Sequence, residues 1–260
     1  MEPDCGRLSL SDMLRYLYTV DDITWGRYAF SFDILRNHIP LFRQDEMARK
    51  AVACGEEWAR RMMAQTGTAD PVSMQEALGL VLVENDVPIT ESARPIFAQF
   101  VPERRIEIMS QPLHIYSSFF QKETGSKCLS LFPPPEQVRT LLLAHEIFHY
   151  VEECNSKEIY SQTETIQLWK FLWIRWNSTV RALSEIAAMS FAKTLTSVDY
   201  SPFILDIILF HGCNKEMTEN AFRRITDIVN IENLGVSGKP VADHCTLDQA
   251  YQRPLDQAYQ

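Results

Sequence analysis

Apolar side chains in the first 66 residues recur every three or four positions, which is the spacing of one face of an α-helix. The clearest groups are Leu14, Leu17 and Tyr18, then Met47, Val52, Trp58 and Met62. This pattern predicts two or three helices between residues 8 and 66. We assign them to a helical N-terminal module, residues 1–70, which ends where Thr66-Gly67-Thr68 interrupts the pattern.

The pattern changes after residue 70, where a short helix (Val72–Leu78) closed by Gly79 begins a second unit. Four β-rich runs bounded by Asp, Pro and Gly follow it: Leu80–Val83, Ile96–Val101, Arg105–Met109 and Lys127–Phe132. They predict a small sheet and therefore an α+β fold. We assign residues 71–235 to this second domain. Residues 236–260, which contain LDQAYQ twice, are predicted to be a flexible tail.

Three further helices are predicted in the second domain. One follows Pro133–Pro135 and covers residues 136–153, because proline is tolerated only in the first turn of a helix. Another runs from a cap at Asn177 or Ser178 to Leu195, and a third covers residues 218–231.

An aromatic segment lies between the first two of these helices. Its apolar residues are spaced to form one face of a short helix: Trp169, Phe171, Leu172, Trp173 and Trp176. A plain core cluster is the first interpretation. The second makes the segment one wall of a substrate groove, in which the strand Lys127–Phe132 offers its edge to an extended peptide.

The helix at 136–153 contains His145-Glu146-Ile147-Phe148-His149. Histidines four residues apart project from the same helical face, so both imidazoles can reach one zinc ion at about 2.0–2.1 Å. The rest of this helix is strongly apolar, and burying three polar groups in it is costly without partners. We therefore predict Zn²⁺ bound by His145 and His149, with Glu146 beside it as the general base.

A hydrolytic zinc site combines three protein ligands with a water molecule, so a third ligand is required. The extended metzincin pattern is absent, because positions 152 and 155 are Glu and Asn rather than Gly and His. Glu152 and Glu153 follow on the same helix and fit better as charges around the site or in solvent. Glu185, which shares a helical face with several alanines, is the predicted third ligand. A surface ion pair with Arg181 is the alternative.

Hydrolytic sites often add a donor that stabilises the oxyanion of the transition state. The candidates in this sequence are Tyr150, Tyr200, His211 and Arg181. Each of them has an ordinary structural role as its alternative, and the sequence does not rank them.

The bulk composition narrows the classes of partner. A net charge of −9 repels phosphate backbones and anionic lipids, so neither nucleic acid nor a membrane is an expected partner. The apolar stretch Ile204–Phe210 is far shorter than the roughly 20 residues that cross a bilayer. The acidic N-terminal sequence lacks a secretory pattern, and the six scattered cysteines form no C-x2-C pair. A cytoplasmic location is expected.

Together the two motifs resemble those of the ImmA/IrrE-type zinc peptidases, of the gluzincin class. The first motif of that family reads roughly "lAHElgH" and is matched by residues 143–149. The second is a ligand glutamate followed by Ala three places on and Phe-Ala six and seven places on, matched by Glu185, Ala188, Phe191 and Ala192. The resemblance covers about residues 71–200. Phe148 replaces a glycine of the family motif, and Met189 replaces an asparagine.

The resemblance implies a zincin-like domain with Zn²⁺ on His145, His149 and Glu185 and with Glu146 as the base. It also implies a cytoplasmic peptidase that cleaves a specific protein or peptide partner. The alternative is a catalytically silent, zinc-containing regulatory or protein-binding module. The N-terminal helices have a further interpretation as a dimer or partner-docking surface. The sequence indicates neither the substrate nor the oligomeric state.

Overall fold

The computed structural model describes residues 8–86, 96–123, 128–171 and 174–233. Within these ranges the chain has the α+β architecture that the sequence predicts. The elements in chain order are α1 (Leu10–Leu17), α2 (Asp22–Phe30), α3 (Leu41–Thr66), α4 (Pro71–Ala77), β1 (Val81–Asn85), β2 (Ala98–Val101), β3 (Arg105–Met109), α5 (Ser110–Lys122), α6 (Pro135–Cys154), α7 (Tyr160–Thr163), β4 (Thr165–Phe171), β5 (Ile174–Thr179), α8 (Arg181–Thr196), α9 (Ile204–Cys213) and α10 (Lys215–Asn233). Across the described residues, none of the helices combines the length and apolar character that crossing a membrane requires.

The predicted helices of the N-terminal region are confirmed as α1, α2 and α3. Two of them begin at side-chain caps, because Ser9 accepts from the backbone N–H of Asp12 and Asp21 accepts from that of Ile23. The third ends at Gly67, whose φ of 74° is the left-handed conformation that glycine adopts most easily. Local sequence signals therefore define these helices well.

Helix α3 lies in direct contact with α8, and a glycine allows it. A Cβ placed on Gly55 would lie 2.8 Å from both the backbone nitrogen of Phe191 and Cβ of Ser190, and would overlap the carbonyl oxygen of Ala187. Only glycine fits at this crossing. The position of α8 is therefore set by the N-terminal helices.

One buried cluster joins both halves of the chain, from Leu10 in α1 to Ile225 in α10. Trp25 of α2, for example, stacks on Phe203 with ring centroids 5.9 Å apart. The division of the chain at residue 70 stays a prediction, but the core is continuous across it.

The main sheet has three strands in the order β1-β3-β2. The central strand β3 pairs in parallel with β1 and antiparallel with β2, which leaves β2 at an edge. Both β2 and β3 pack against α6. Glu103 and Arg104, in the turn between these strands, have φ values of 74° and 68°, and Arg104 donates to the hydroxyl of Tyr150 on α6 at 2.8 Å. The sheet edge is thus fixed beside α6.

The predicted strand Lys127–Phe132 is wrong for its described residues. Leu129–Leu131 form a 3-10 turn, and Lys127 lies outside the described residues. The backbone N–H of Phe132 bonds locally to the carbonyl of Leu129, while the Phe132 ring packs on Phe119 at 5.2 Å. The alternating pattern thus reflects side-chain packing before the start of α6, and no edge is offered to a peptide here.

The aromatic segment before α8 is a β-hairpin, β4–β5, so the predicted short helix is wrong. Thr165 and Gln167 are exposed and Ile166 is half-buried, which is the two-residue alternation of a strand. β5 extends to Thr179, and α8 consequently begins at Arg181 rather than at the predicted cap, Asn177 or Ser178.

The remaining boundaries follow the predictions closely. The short helix appears as α4, closed by Gly79 with a φ of 65°, and the first three β-rich runs predicted after it appear as β1, β2 and β3. Helices α6 and α10 appear at the predicted positions, whereas α5 and α9 were not predicted. The proposed tail, 236–260, lies outside the described residues.

Candidate metal centre

Helix α6 supplies two of the predicted ligands and the predicted base. It begins at Pro135 and runs for 20 residues, so the histidines occupy its third and fourth turns. His145 and Glu146 are buried, and His149 is half-buried. The Nε2 atoms of the two histidines lie 3.0 Å apart and therefore face a common point.

Helix α8 supplies the third predicted ligand. Oε2 of Glu185 lies 3.4 Å from Nε2 of His145. Ligand atoms of His145, His149 and Glu185 all lie within 4.8 Å of one another. The side chain of Glu185 is 36% exposed, so it stands at the border of the core. The structure brings the three residues together.

The start of α8 is held by a residue distant in sequence. Val180, at the N-cap position, offers no side-chain cap. Oδ2 of Asp33 instead accepts from the backbone N–H of Ala182 at 2.9 Å, and Oδ1 accepts from that of Leu35 at 2.8 Å. Asp33 is buried, and a carboxylate at a helix N-terminus is favourable because it satisfies free N–H groups and opposes the helix dipole. The loop after α2 therefore helps to place Glu185.

The separations of these atoms suit one divalent ion. With bonds of about 2.0–2.1 Å and tetrahedral angles, zinc ligand atoms lie about 3.3 Å apart. The two pairs involving His145 Nε2 are 3.0 Å and 3.4 Å apart. Two imidazole nitrogens with one carboxylate oxygen form a ligand set that leaves a coordination position for water. The group can therefore hold a metal ion.

The side chain of Glu146 points from α6 to the sheet. Its Oε2 atom accepts a 2.6 Å hydrogen bond from the backbone N–H of Phe100 in β2. This N–H is bonded to Glu146 and not to β3, so it lies on the outer side of β2, where the described residues contain no further strand. The negative charge of Glu146 also acts on His149. The predicted base is thus fixed beside both the ligand pair and the sheet edge.

Two polar side chains lie next to the Nδ1 atom of His149. Oε2 of Glu152 lies 3.5 Å from this nitrogen, and Oγ of Ser184 lies 3.4 Å from it. Burial lowers the pKa of His149, but the bond to Glu152 and the charges of Glu146, Glu185 and Glu152 outweigh it and raise the pKa to about 9. For Glu152, burial raises the pKa. The neighbouring His149 has the opposite effect, and the pKa of Glu152 is lowered overall. Without a metal, His149 and Glu152 therefore form an ion pair.

Some residues of the site were missed or left open by the sequence. Ser184, Asp33 and Phe100 carried no signal, because each acts through a contact that only the fold creates. Glu152, predicted to lie near the site or in solvent, is buried beside His149, whereas Glu153 is exposed.

The four candidate oxyanion donors take other contacts or positions. The hydroxyl of Tyr150 accepts from Arg104, and that of Tyr200 lies 3.4 Å from Oε1 of Gln137. His211 lines a groove between α5 and α9, and Arg181 is exposed at the start of α8. None of these contacts involves the ligand atoms of the metal centre.

Comparisons of the chain with family models, with curated proteins and with solved structures gave no match. Within the described ranges, one group of three His, Cys, Asp or Glu side chains is close enough together to hold a metal ion. It consists of His145, His149 and Glu185. Any functional assignment therefore depends on this group and its surroundings.

Proposed function

We propose that the chain is a zinc-dependent peptidase with a zincin-like fold, which hydrolyses peptide bonds in a protein partner. The observation that carries the proposal is the convergence of His145, His149 and Glu185 within 4.8 Å, next to the buried carboxylate of Glu146. A site that serves structure alone needs no base beside an open coordination position.

The donor set favours zinc among the common divalent ions. Imidazole nitrogen suits zinc, copper, iron and nickel, whereas calcium and magnesium prefer sites built from oxygen ligands. Two histidines and one glutamate are also the ligand set of zinc peptidases such as thermolysin. The resemblance of both motifs to the ImmA/IrrE-type peptidases agrees with this choice.

The edge of the sheet supports a peptide as the substrate. Strand β2 pairs on one side only among the described elements, and its outward Phe100 N–H reaches Glu146. Because that N–H is bonded to Glu146, an extended peptide would add to this edge through main-chain hydrogen bonds with other outward groups of β2. A peptide bound there would lie beside the base. The edge of β2 takes the place of the predicted strand Lys127–Phe132 as the strand edge proposed to bind an extended peptide.

The residues of the chain have separate roles in the proposed reaction. When bound, zinc supplies a Lewis acid that polarises the scissile carbonyl and lowers the pKa of water. His145, His149 and Glu185 hold it in place. Glu146 takes a proton from the attacking water and passes it to the leaving nitrogen. The Phe100 N–H orients the Glu146 carboxylate by its bond to Oε2. The other oxygen, Oε1, would carry the proton.

The substitution Glu146→Gln tests the proposal. Glutamine can still accept from the Phe100 N–H, so the fold and zinc content should be retained, whereas proton transfer is lost. We expect zinc-loaded wild-type protein to cleave members of a peptide library, detected by mass spectrometry. Cleavage by the variant should fall about 10²–10⁴-fold.

Glu153→Gln is the matched control, because Glu153 is exposed on the same helix. This variant should cleave as the wild type does. Equal cleavage by Glu146→Gln and wild type would contradict the assigned base. A zinc-loaded wild type that cleaves no peptide would instead favour the silent regulatory module.

A further inference from the structure

A buried polar cluster, Glu152, Ser161 and Ser184, lies behind His149. Glu152 is 6% exposed, and a carboxylate at that depth requires several partners. Its Oε1 accepts a 2.5 Å bond from Ser161 Oγ, and its Oε2 accepts a 2.7 Å bond from Ser184 Oγ. The three residues come from α6, α7 and α8, so the cluster ties together the two helices that carry the metal ligands.

The imidazole of His149 is held between this cluster and the metal centre. Its Nε2 atom faces Nε2 of His145, while its Nδ1 atom lies 3.4 Å from Ser184 Oγ and 3.5 Å from Glu152 Oε2. The hydroxyl of Ser184 has a single proton, which it donates to Glu152. Its oxygen can then act towards Nδ1 only as an acceptor.

The direction of these hydrogen bonds determines which ring nitrogen of neutral His149 carries the proton. An acceptor at Nδ1 favours the form of neutral His149 that carries its proton on Nδ1. That form leaves the Nε2 lone pair free for a metal. The reverse tautomer would place a lone pair against the Ser184 and Glu152 oxygens and a proton in the metal centre.

We propose that Glu152 and Ser184 are positioning residues that hold the Nδ1 proton of His149 and so present Nε2 to the metal. The inference rests on the proposed metal centre and adds a supporting network to it. Ser184 directly precedes Glu185 in α8, so the same contact also sets the helix that carries the third ligand. His145 differs, because its buried Nδ1 has no hydrogen-bond partner among the described residues.

The test measures zinc affinity by competition with a chelator in four variants of the full chain, at a pH above 9, where protons no longer compete with zinc for His149. Ser184→Ala and Glu152→Gln should each weaken zinc binding about 10–100-fold, as is usual for partners of metal-binding histidines. Ser184→Thr keeps the hydroxyl and should restore affinity close to that of the wild type. Glu153→Gln, an exposed neighbour, should have no effect.

A spectroscopic readout separates positioning from a general loss of structure. Long-range ¹H–¹⁵N spectra of the zinc-loaded protein should show the His149 Nδ1 proton in slow exchange with solvent. In Ser184→Ala that proton should exchange faster, with the rest of the spectrum retained. Should Glu152→Gln fail to fold, Ser184→Ala still decides the question.

The outcomes separate this inference from the proposed activity. Wild-type affinity and an unchanged Nδ1 signal in both Ser184→Ala and Glu152→Gln would overturn the positioning role, whether or not the protein cleaves peptides. Weakened zinc binding in these variants, together with a wild type that binds zinc but cleaves nothing, would support the positioning role and contradict the peptidase.

Discussion

The substitution Gly55→Ala probes how the N-terminal helices place the third ligand. The added Cβ would lie 2.8 Å from the backbone nitrogen of Phe191, whereas ordinary contacts begin at 3.4 Å. The α3–α8 crossing must therefore open by at least 0.6 Å, the difference between those two distances. The obstacles include backbone atoms of α8, so a side-chain rotation cannot relieve the overlap. Glu185 lies two residues from Ala187 and should move with the helix.

The change in the free energy of unfolding has two opposing contributions. Alanine gains about 1 kcal/mol over glycine in the interior of a helix. Overpacking a core costs about 1–3 kcal/mol, and this crossing meets backbone rather than flexible side chains. We expect a net loss of up to about 2 kcal/mol in the free energy of unfolding. Metal–ligand distances tolerate only about 0.2 Å, so zinc should bind at least about tenfold more weakly.

Urea unfolding of the metal-free protein measures the free energy of unfolding. Competition with a chelator measures the affinity for zinc. Ala53→Gly is the matched control, because Ala53 is exposed on the same helix. It should lower stability by about 1 kcal/mol through helix propensity alone and leave zinc affinity unchanged. A Gly55→Ala protein that is more stable than the wild type and binds zinc normally would show that Gly55 does not set the position of α8.

Two further predictions concern the surroundings of the ligands. Asp33→Ala should lower the free energy of unfolding by about 2 kcal/mol in urea titrations, because it leaves the buried N–H groups of Ala182 and Leu35 without an acceptor. Asp33→Asn keeps an acceptor and should lose less, and equal losses would contradict this cap. His149, with its pKa raised to about 9, keeps its proton at neutral pH in the metal-free protein, so zinc must displace that proton. Zinc affinity should rise about tenfold per pH unit and level off above about pH 9, with proton release seen by calorimetry in different buffers; a flat profile would contradict it.

The same titration has a defined effect on the metal-free fold. The pKa of His149 is raised from 6.5 to about 9 in the folded protein. The charge of His149, paired with Glu152, therefore contributes stability that is fully present at about pH 6.5 and is lost as the pH rises through about 9. Zinc binding and this ion pair thus have opposite pH preferences.

Local sequence signals were sufficient for the helix that carries the histidines. Proline at the start, an apolar helix and the histidine pair all lie within 20 residues, and α6 begins and ends within one residue of its predicted bounds. The position of Glu185 beside His145 could also be expected, because this glutamate shares a helical face with alanines that allow the helix to approach closely. In these elements the local sequence and the fold agree.

Features that depend on distant contacts could not be predicted. The cap of α8 comes from Asp33, 149 residues before Ala182, so the sequence around 177–180 placed the helix start too early. The hairpin β4–β5 was assigned to a helix because its apolar residues fit both periods. The Ser184 contact with His149 exists only once α6 and α8 pack together. Tertiary packing decided each of these cases.

Anomalous diffraction at the zinc absorption edge, measured on crystals of the zinc-loaded protein, shows whether the three side chains share one zinc ion. We expect one strong peak per chain, within bonding distance of Nε2 of His145, Nε2 of His149 and the Glu185 carboxylate. A peak bound elsewhere in the chain, or none among these three side chains at full zinc loading, would contradict it.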